Sequence, residues 1–517
     1  MATGTRLTRV RAAQLIVALA TAAVCTTTLH ALLGSRSAAG FDWVNHDVAN
    51  ILYLGKRMLA GDRLYADLAE TNPPAVFFVG EGMAVLSGWL RVSPVHLFHT
   101  CVVLLALFGV WVIQSIYARS TRAIELILSC EAFLLVLTGG GLPGEHGLTY
   151  SFGQREQLFA LAFLSYLFWR LSEQGLGAVS DVMCFLVGYL ASMKPQFAIL
   201  VVALELCCLS EDRGTIRRVA PIAAAGALLP YVLLVLHSPL SVARLWTETI
   251  PLHTRGIYGY FDQPYSYFFG SPQQLAVIIY AASIGYFVWS GAELSPRVRR
   301  SIYVLLPLSY GLLLQQHKFW DYHAITLFAL LVVLAYHLGA ALIARLPSDR
   351  ALPLFGLLSV AVAVQNWVGV AELRTMISGW KAGVGVDARL LKIAPLLAGR
   401  RRVLYYSTSI SHMRLALLLD QHAIGRWSHE LIYPSLVRDT DARRRERSLT
   451  RYCADQRQLI ADQRPEAVVF HATGQGLRTP EQELQPLLVD RCHVLPEREY
   501  LRIAPADVPE ATVFLRR

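Results

Sequence analysis

The chain has 517 residues, of which 54% are hydrophobic and 16% charged, with a mean hydropathy of +0.42. A soluble domain carries about 25% charged residues, so this composition excludes an ordinary soluble protein and points to a polytopic membrane protein. The net charge of +10 lies in short loops and the tail, without a basic-aromatic groove pattern, and reads as topology rather than nucleic-acid affinity.

Arg6, Arg9 and Arg11 precede an apolar run from Ala12 to Leu33. At about 22 residues it is too long for a signal-peptide core and reads as a first span with a cytoplasmic N-terminus. Further apolar segments follow at 73–90, 94–117, 124–138, 154–171, 178–193, 196–210, 219–237, 273–290, 301–316, 323–344 and 351–369. Basic loops at Arg119/Arg122, Arg213/Arg217/Arg218, Arg297/Arg299/Arg300 and Arg345/Arg350 fall on the cytoplasmic side by the positive-inside rule. Loops 35–72, 139–153, 238–272 and 317–322, the Lys194-Pro195 turn and the tail then lie on the opposite face. About eleven full spans satisfy every basic loop, and a twelfth does not. The odd segment is 73–90, which opens with Pro73-Pro74 and carries Gly80, Glu81, Gly82 and Gly88. A short, tilted or re-entrant helix is expected there. The pair 178–193 and 196–210 is also short for two spans of about 20 residues each. Irregular backbone at membrane depth must line protein or a cavity, so a cavity is expected near these segments.

Residues 371–517 read differently from the transmembrane domain over 1–370. Arginine-rich stretches alternate with strand-like runs at 403–406 and 467–470 around a helical stretch at 413–422. The pattern predicts a small extracytoplasmic α/β domain. Cys453 and Cys492 stand in it. An extracytoplasmic tail permits their disulfide, but two cysteines in one domain need not be close, so the pairing stays open. Cys25, Cys101, Cys130, Cys184, Cys207 and Cys208 lie in apolar segments as small hydrophobes, and no cysteine shows metal spacing.

Polar residues concentrate in a few stretches. In 45–60, Val48, Ile51, Leu52, Gly55, Met58 and Leu59 follow helical spacing, opposite Asn50, Lys56 and Arg57. This predicts an amphipathic helix on the membrane surface. Asp42, His46 and Asp47 gather at its start. Capping explains one acid there but not all three groups. Asp62, Asp67 and Glu70 read as solvated turn residues. Gln154, Arg155 and Glu156 open a span after a glycine-rich loop. Arg155 is either one half of an interfacial Arg–Glu pair or a phosphate ligand. Lys194 either snorkels or offers a point charge to a phosphate. The stretch 315–323 holds Lys318, Tyr322 and His323, more charge than an aromatic belt needs. Tyr258, in a tyrosine-rich loop with His253 and Arg255, suits sugar stacking or the lipid interface equally. Topology puts these stretches on one face, which argues for an active site.

The series Asp47, Gly55, Gly61, Asp62, Tyr65, Asn72, Pro73, Pro74 resembles the GT-C superfamily of polyprenyl-phosphate-dependent membrane glycosyltransferases, which includes protein mannosyltransferases and aminoarabinose transferases. Phe152-Gly-Gln-Arg-Glu156, Met193-Lys-Pro195 and Gln316-x-Lys318-x-Trp-x-Tyr-His323 extend the likeness over roughly 12–370. The resemblance implies an all-α polytopic fold in the plasma (inner) membrane and a hexosyl- or pentosyltransferase of the cell envelope. It also implies a polyprenyl-phosphate sugar donor and a lipid, glycan or protein acceptor. Asp47 takes the general-base role, with His46 and Asp42 beside it. Arg155, Lys194, Lys318 and His323 are the donor-phosphate candidates, and Gln154, Glu156, Tyr258 and Tyr322 the substrate-binding ones. His46-Asp47 stands where protein mannosyltransferases carry an acidic pair, and Asn72-Pro73-Pro74 where aminoarabinose transferases carry Lys-Pro-Pro. These departures leave the acceptor open. No metal-ligand set is evident, so no cofactor is expected, though His46, Asp47, His317 and His323 are the residues that would meet on an ion. The rival classes are a transporter or flippase of a lipid-linked saccharide and a non-enzymatic envelope assembly protein.

Overall fold

The computed structural model describes residues 2–37, 40–117, 123–139, 152–172, 176–209, 211–251, 264–289, 294–316, 321–382, 389–407, 412–425, 442–471, 485–496, 498–506, 508 and 511–517. The helices begin with α1 (Ala2–Leu33), α2 (His46–Leu59), α3 (Pro74–Leu90), α4 (Pro94–Tyr117) and α5 (Ala123–Thr138). They continue with α6 (Arg155–Ser172), α7 (Ala178–Ala191), α8 (Pro195–Cys208) and α9 (Arg213–His237), and later with Pro272–Trp289, Pro296–Gln315, Ile325–Ile343 and Ser348–Lys381. Two compact units result. One comprises Met1–Gly34, His96–Val232 and Asp262–Ile377, the other Ser35–Val95, Leu233–Phe261 and Ser378–Arg517.

Among the described residues of the chain, Arg11–Leu33, Pro94–Tyr117, Arg213–His237, Ile325–Ile343 and Ser348–Lys381 are long and apolar enough to cross a membrane. Their burial differs with position. The central helix Ile325–Ile343 is 83% buried over its apolar window, whereas that of α9 is 22% buried. Leu228, Leu236, Leu357 and Val360 are exposed, as expected of side chains that face lipid rather than protein. The helix Ser348–Lys381 runs beyond the apolar run 351–369 to Lys381. Helices α7 and α8 are separate, at 14 residues each, with a turn over 192–194 between them. Each is about 21 Å long at 1.5 Å per residue, less than the roughly 30 Å of a hydrocarbon core.

In the second unit α3 has 17 residues and starts on Pro74, whose fixed φ suits a first helical position and whose missing N–H costs nothing there. It is about 26 Å long, the short helix that its glycines and prolines predict. Helices α2 and α3 cross at Gly55 and Gly80. A Cβ on Gly55 would lie 2.1 Å from the Gly80 carbonyl carbon, and one on Gly80 would lie 2.1 Å from the Ile51 oxygen. Between these helices the chain turns through Gly61 (φ 105°) and Tyr65 (φ 63°), and the Tyr65 hydroxyl donates to the Asn72 carbonyl at 2.6 Å.

The tail carries strands β1 (Arg402–Tyr406), β2 (His422–Ile424), β3 (Ala467–His471), β4 (Tyr500–Ile503) and β5 (Ala511–Arg516) in the order β2-β1-β3-β5-β4. The pairs β1–β2 and β1–β3 are parallel, while β5 is antiparallel to β3 and β4. Every residue of β3 is buried, as a strand covered on both faces must be. Leu404, Tyr406, Val468, Phe470 and Phe514 pack with Leu449, Tyr452 and Ile460 of the helix Ala442–Gln463. Cys453 and Cys492 are joined in a disulfide.

Candidate active site

The second unit holds Asp42, His46 and Asp47. Asn45, not Asp47, caps α2: its Oδ1 accepts from the Asp47 backbone N–H at 2.8 Å. The Asp47 side chain is therefore not used as a cap. Its Oδ1 lies 3.8 Å from His46 Nε2, and its Oδ2 is shielded from solvent and has no hydrogen-bond partner among the described residues. Asp42 is half-buried in the preceding segment. That segment is pinned by Trp380 Nε1, which donates to the Phe41 carbonyl at 3.1 Å, and by Arg414 Nε, which donates to the Val44 carbonyl at 2.6 Å.

Lys56 on the polar side of α2 is exposed and pairs with Asp420, but the rest of that side does not face water. Asn50 and Arg57 are buried, which corrects the expectation of a helix lying on a membrane surface. Each polar group found a partner within the unit instead. Arg57 pairs with Asp62 and donates to Tyr53 Oη at 2.9 Å and the Ala423 carbonyl at 2.8 Å. The Ala423 N–H donates to Tyr53 Oη at 2.7 Å. Burial works against the Arg57 charge, but Tyr53 and Asp62 outweigh it and raise its pKa above the ordinary value. Burial pushes the Tyr53 phenol up. His422 is held below the usual imidazole range by burial and by the nearby Arg57 charge.

Glu70 is also not a solvated turn residue. It is 1% exposed and accepts from Asn50 Nδ2 (3.0 Å), the Thr71 N–H (2.6 Å) and Asn72 Nδ2 (3.2 Å). Asp62 is likewise tied to a buried arginine, whereas Asp67 forms an exposed pair with Arg63. From the sequence Asn50 reads only as part of a polar helix face and Glu70 only as a solvated turn residue, so neither receives a role there. A buried Asn on a helix with a clean apolar stripe carries no signal in that stripe.

The first unit holds the cationic candidates. Pro195 starts α8, and Lys194 before it is extended (ψ 112°), as the residue preceding a proline prefers. Lys194 Nζ reaches Glu156 Oε1 at 2.5 Å and Gln316 Oε1 at 2.6 Å. It lies 5.9 Å from the centre of the Phe197 ring. Glu156 is 1% exposed, and its Oε2 has no hydrogen-bond partner among the described residues. Arg155 is half-buried at the start of α6, beside the buried Gln154. His323 is buried in the turn Asp321–Ala324, which packs against α6. Tyr322 lies in the same turn, but its side chain is outside the described residues, as are Tyr258, His317 and Lys318. Glu156, Lys194 and Gln316 are thus brought together, and His46 meets Asp47. Among the described residues no three His, Cys, Asp or Glu side chains group as ligands for a metal ion.

No protein-family model and no curated protein matches the sequence. Among solved structures the chain is similar to ArnT from Cupriavidus metallidurans bound to undecaprenyl phosphate. The TM-score is 0.58 at 14% identity, covering 96% of this chain and 97% of that one. The apo state of the same protein gives a TM-score of 0.54 at 14% identity, covering 97% and 98%. The likeness shows that the chain shares its fold with that solved protein over nearly its whole length, in keeping with the resemblance read from the sequence.

Proposed function

We propose that this protein is an integral-membrane glycosyltransferase that moves a sugar from a polyprenyl-phosphate donor to an extracytoplasmic acceptor by inverting single displacement. The observation that carries the reading is Asp47: a carboxylate at the start of a buried helix, relieved of capping, with one shielded oxygen unpartnered among the described residues. The fold shared with a protein seen bound to undecaprenyl phosphate supports a lipid-phosphate donor.

The acceptor oxygen attacks the anomeric carbon, and its proton passes to Asp47 Oδ2. The bond from that carbon to the phosphate oxygen breaks, and the electron pair leaves on the lipid phosphate. Developing charge on that phosphate calls for cations. Lys194, Arg155, Lys318 and His323 take that role, with Glu156 and Gln316 fixing the Lys194 ammonium. His46 and Asp42 flank the base, and Gln154, Glu156, Tyr258 and Tyr322 contact the sugar. One base without a carboxylate nucleophile fits a single inverting step. In this reading the protein lies in the plasma membrane with about eleven spans, a cytoplasmic N-terminus and an extracytoplasmic tail.

The test uses purified protein and radiolabelled polyprenyl-phosphate sugars. Asp47→Asn should fold normally and lose transfer by about 10²-fold or more. Equal turnover by both proteins, or no transfer and no donor hydrolysis by the wild type with any donor, would overturn the proposal.

A further inference from the structure

Asn50 sits three residues after Asp47 on α2 and is 3% exposed. Residues three apart on a helix share a face, with Cβ atoms about 5–6 Å apart. Asn50 Nδ2 donates to Glu70 Oε2 at 3.0 Å. A carboxylate only accepts, so this bond fixes which end of the amide is nitrogen and leaves Oδ1 pointing away from Glu70. Glu70 cannot readily turn to release it, because the Thr71 N–H and Asn72 Nδ2 hold its other oxygen. The result is a second shielded acceptor. Asn50 Oδ1 and Asp47 Oδ2 each lack a hydrogen-bond partner among the described residues. Buried acceptors are seldom left unpaired, and two on one helix face, one of them on the proposed base, mark where donors from a substrate belong.

The geometry points to an acceptor with two neighbouring hydroxyls, a saccharide ring or other polyol, with Asn50 as the specificity-determining residue and Glu70 as the positioning residue behind it. This inference rests on the base role of Asp47. One hydroxyl loses its proton to Asp47 as its oxygen bonds to the anomeric carbon and the phosphate departs with the electron pair. The second hydroxyl keeps its proton and donates it in a hydrogen bond to Asn50 Oδ1. A site that pairs with a substrate hydroxyl discriminates strongly against the analogue that lacks it. An isolated serine or threonine hydroxyl offers only one of the two donors.

The experiment supplies purified full-length protein with a polyprenyl-phosphate sugar and three surrogate acceptors: propane-1,2-diol, propan-1-ol and N-acetylserine amide. The wild type should transfer to the diol about tenfold or more faster than to either of the others. Asn50→Leu should collapse the ratio of diol to propan-1-ol rates towards one. Glu70→Gln, which can donate to the amide oxygen and let Asn50 turn over, should lower the same ratio with Asn50 intact. It serves as the test if Asn50→Leu does not fold. A wild-type enzyme that turns over donor without preferring the diol, or that prefers the serine amide, overturns this inference alone. A ratio unmoved in both variants does so as well. Wild-type protein that turns over no donor, even with water as acceptor, overturns the glycosyltransferase reading and this inference with it.

Discussion

Asp47, half-buried with one shielded oxygen, and the buried Lys194 are compensated differently. Lys194 has Glu156, Gln316 and the face of Phe197 around it, whereas Asp47 Oδ2 has no partner among the described residues. The lysine's surroundings fix a cation in place and those of the aspartate leave a proton acceptor open. Separating the structural from the catalytic share of Lys194 takes two variants. Lys194→Met alone strands the Glu156 carboxylate, which is 1% exposed, and should cost about 3–5 kcal/mol of stability. Adding Glu156→Gln removes the stranded charge and should restore most of the thermal stability measured in detergent, while donor turnover should stay below that of Glu156→Gln alone, which loses only the sugar contact. Recovery of turnover in the double variant would show that the lysine charge is not needed for the phosphate. His422 provides a second check at this scale. Its folded pKa is depressed by burial and by Arg57, so below about pH 6.5 the unfolded chain binds more protons than the folded one. Stability contributed by neutral His422 is therefore complete above that value and lost progressively as pH falls below it. Thermal melts between pH 5 and 7.5 should show a smaller acid loss in His422→Gln than in the wild type.

At the scale of elements, the contact of α2 with α3 is set by two residues without side chains. Gly55→Ala would place a methyl group 2.1 Å from the carbonyl carbon of Gly80, where backbone, not a flexible side chain, must give way. Overpacking of this kind costs about 1–3 kcal/mol. Gly82→Ala on α3 meets nothing within 4 Å and should be tolerated, so a melting-temperature comparison isolates the crossing from helix propensity. Gly55 and the Pro73-Pro74 start of α3 were legible in the sequence because each is a local event: a glycine at a fixed spacing, a proline at a first turn. The strands at 402–406 and 467–471 were legible for the same reason, as short apolar runs bounded by charge. The burial of Arg57, Asn50 and Glu70 was not, because their partners are Ala423, Tyr53 and Asp62 for the first and each other for the last two. Helical periodicity gives the side of α2 that is apolar. Whether water or a strand from 366 residues further on covers the other side is decided by tertiary packing, which no periodicity carries.

At the scale of the whole molecule, polar groups in the first unit collect at the two ends of α6 and α8. Glu156 and Lys194 stand at the starts of these helices. Near their ends, Arg170 forks onto Glu205 at 2.8 and 2.9 Å and reaches Asp212 at 3.1 Å, and Arg297 bonds Glu211 at 3.1 Å. Glu156 and Arg170 are separated by about 21 Å along α6 at the usual rise. The stretch between them is mostly apolar and buried within the protein. In the proposed topology the positive-inside rule assigns the second end, with Arg213, Arg217 and Arg218 in the first turns of α9 and Arg299 and Arg300 near the start of the helix Pro296–Gln315, to the cytoplasm, and alternation then carries the tail to the opposite side. The Cys453–Cys492 disulfide makes that assignment measurable, since such bonds persist on the oxidising side of a membrane and are rare in the cytosol. In cells alkylated before lysis, both thiols should be protected from maleimide until a reductant is added. A membrane-impermeant maleimide supplied after a mild reductant should then reach them from outside. The Cys453→Ser/Cys492→Ser variant should lose the protected pair and, for a sequence separation of 39, up to about 4 kcal/mol of stability. Free thiols in the untreated cells, labelled only by a permeant reagent, would put the tail in the cytoplasm and remove the topological basis for an extracytoplasmic acceptor.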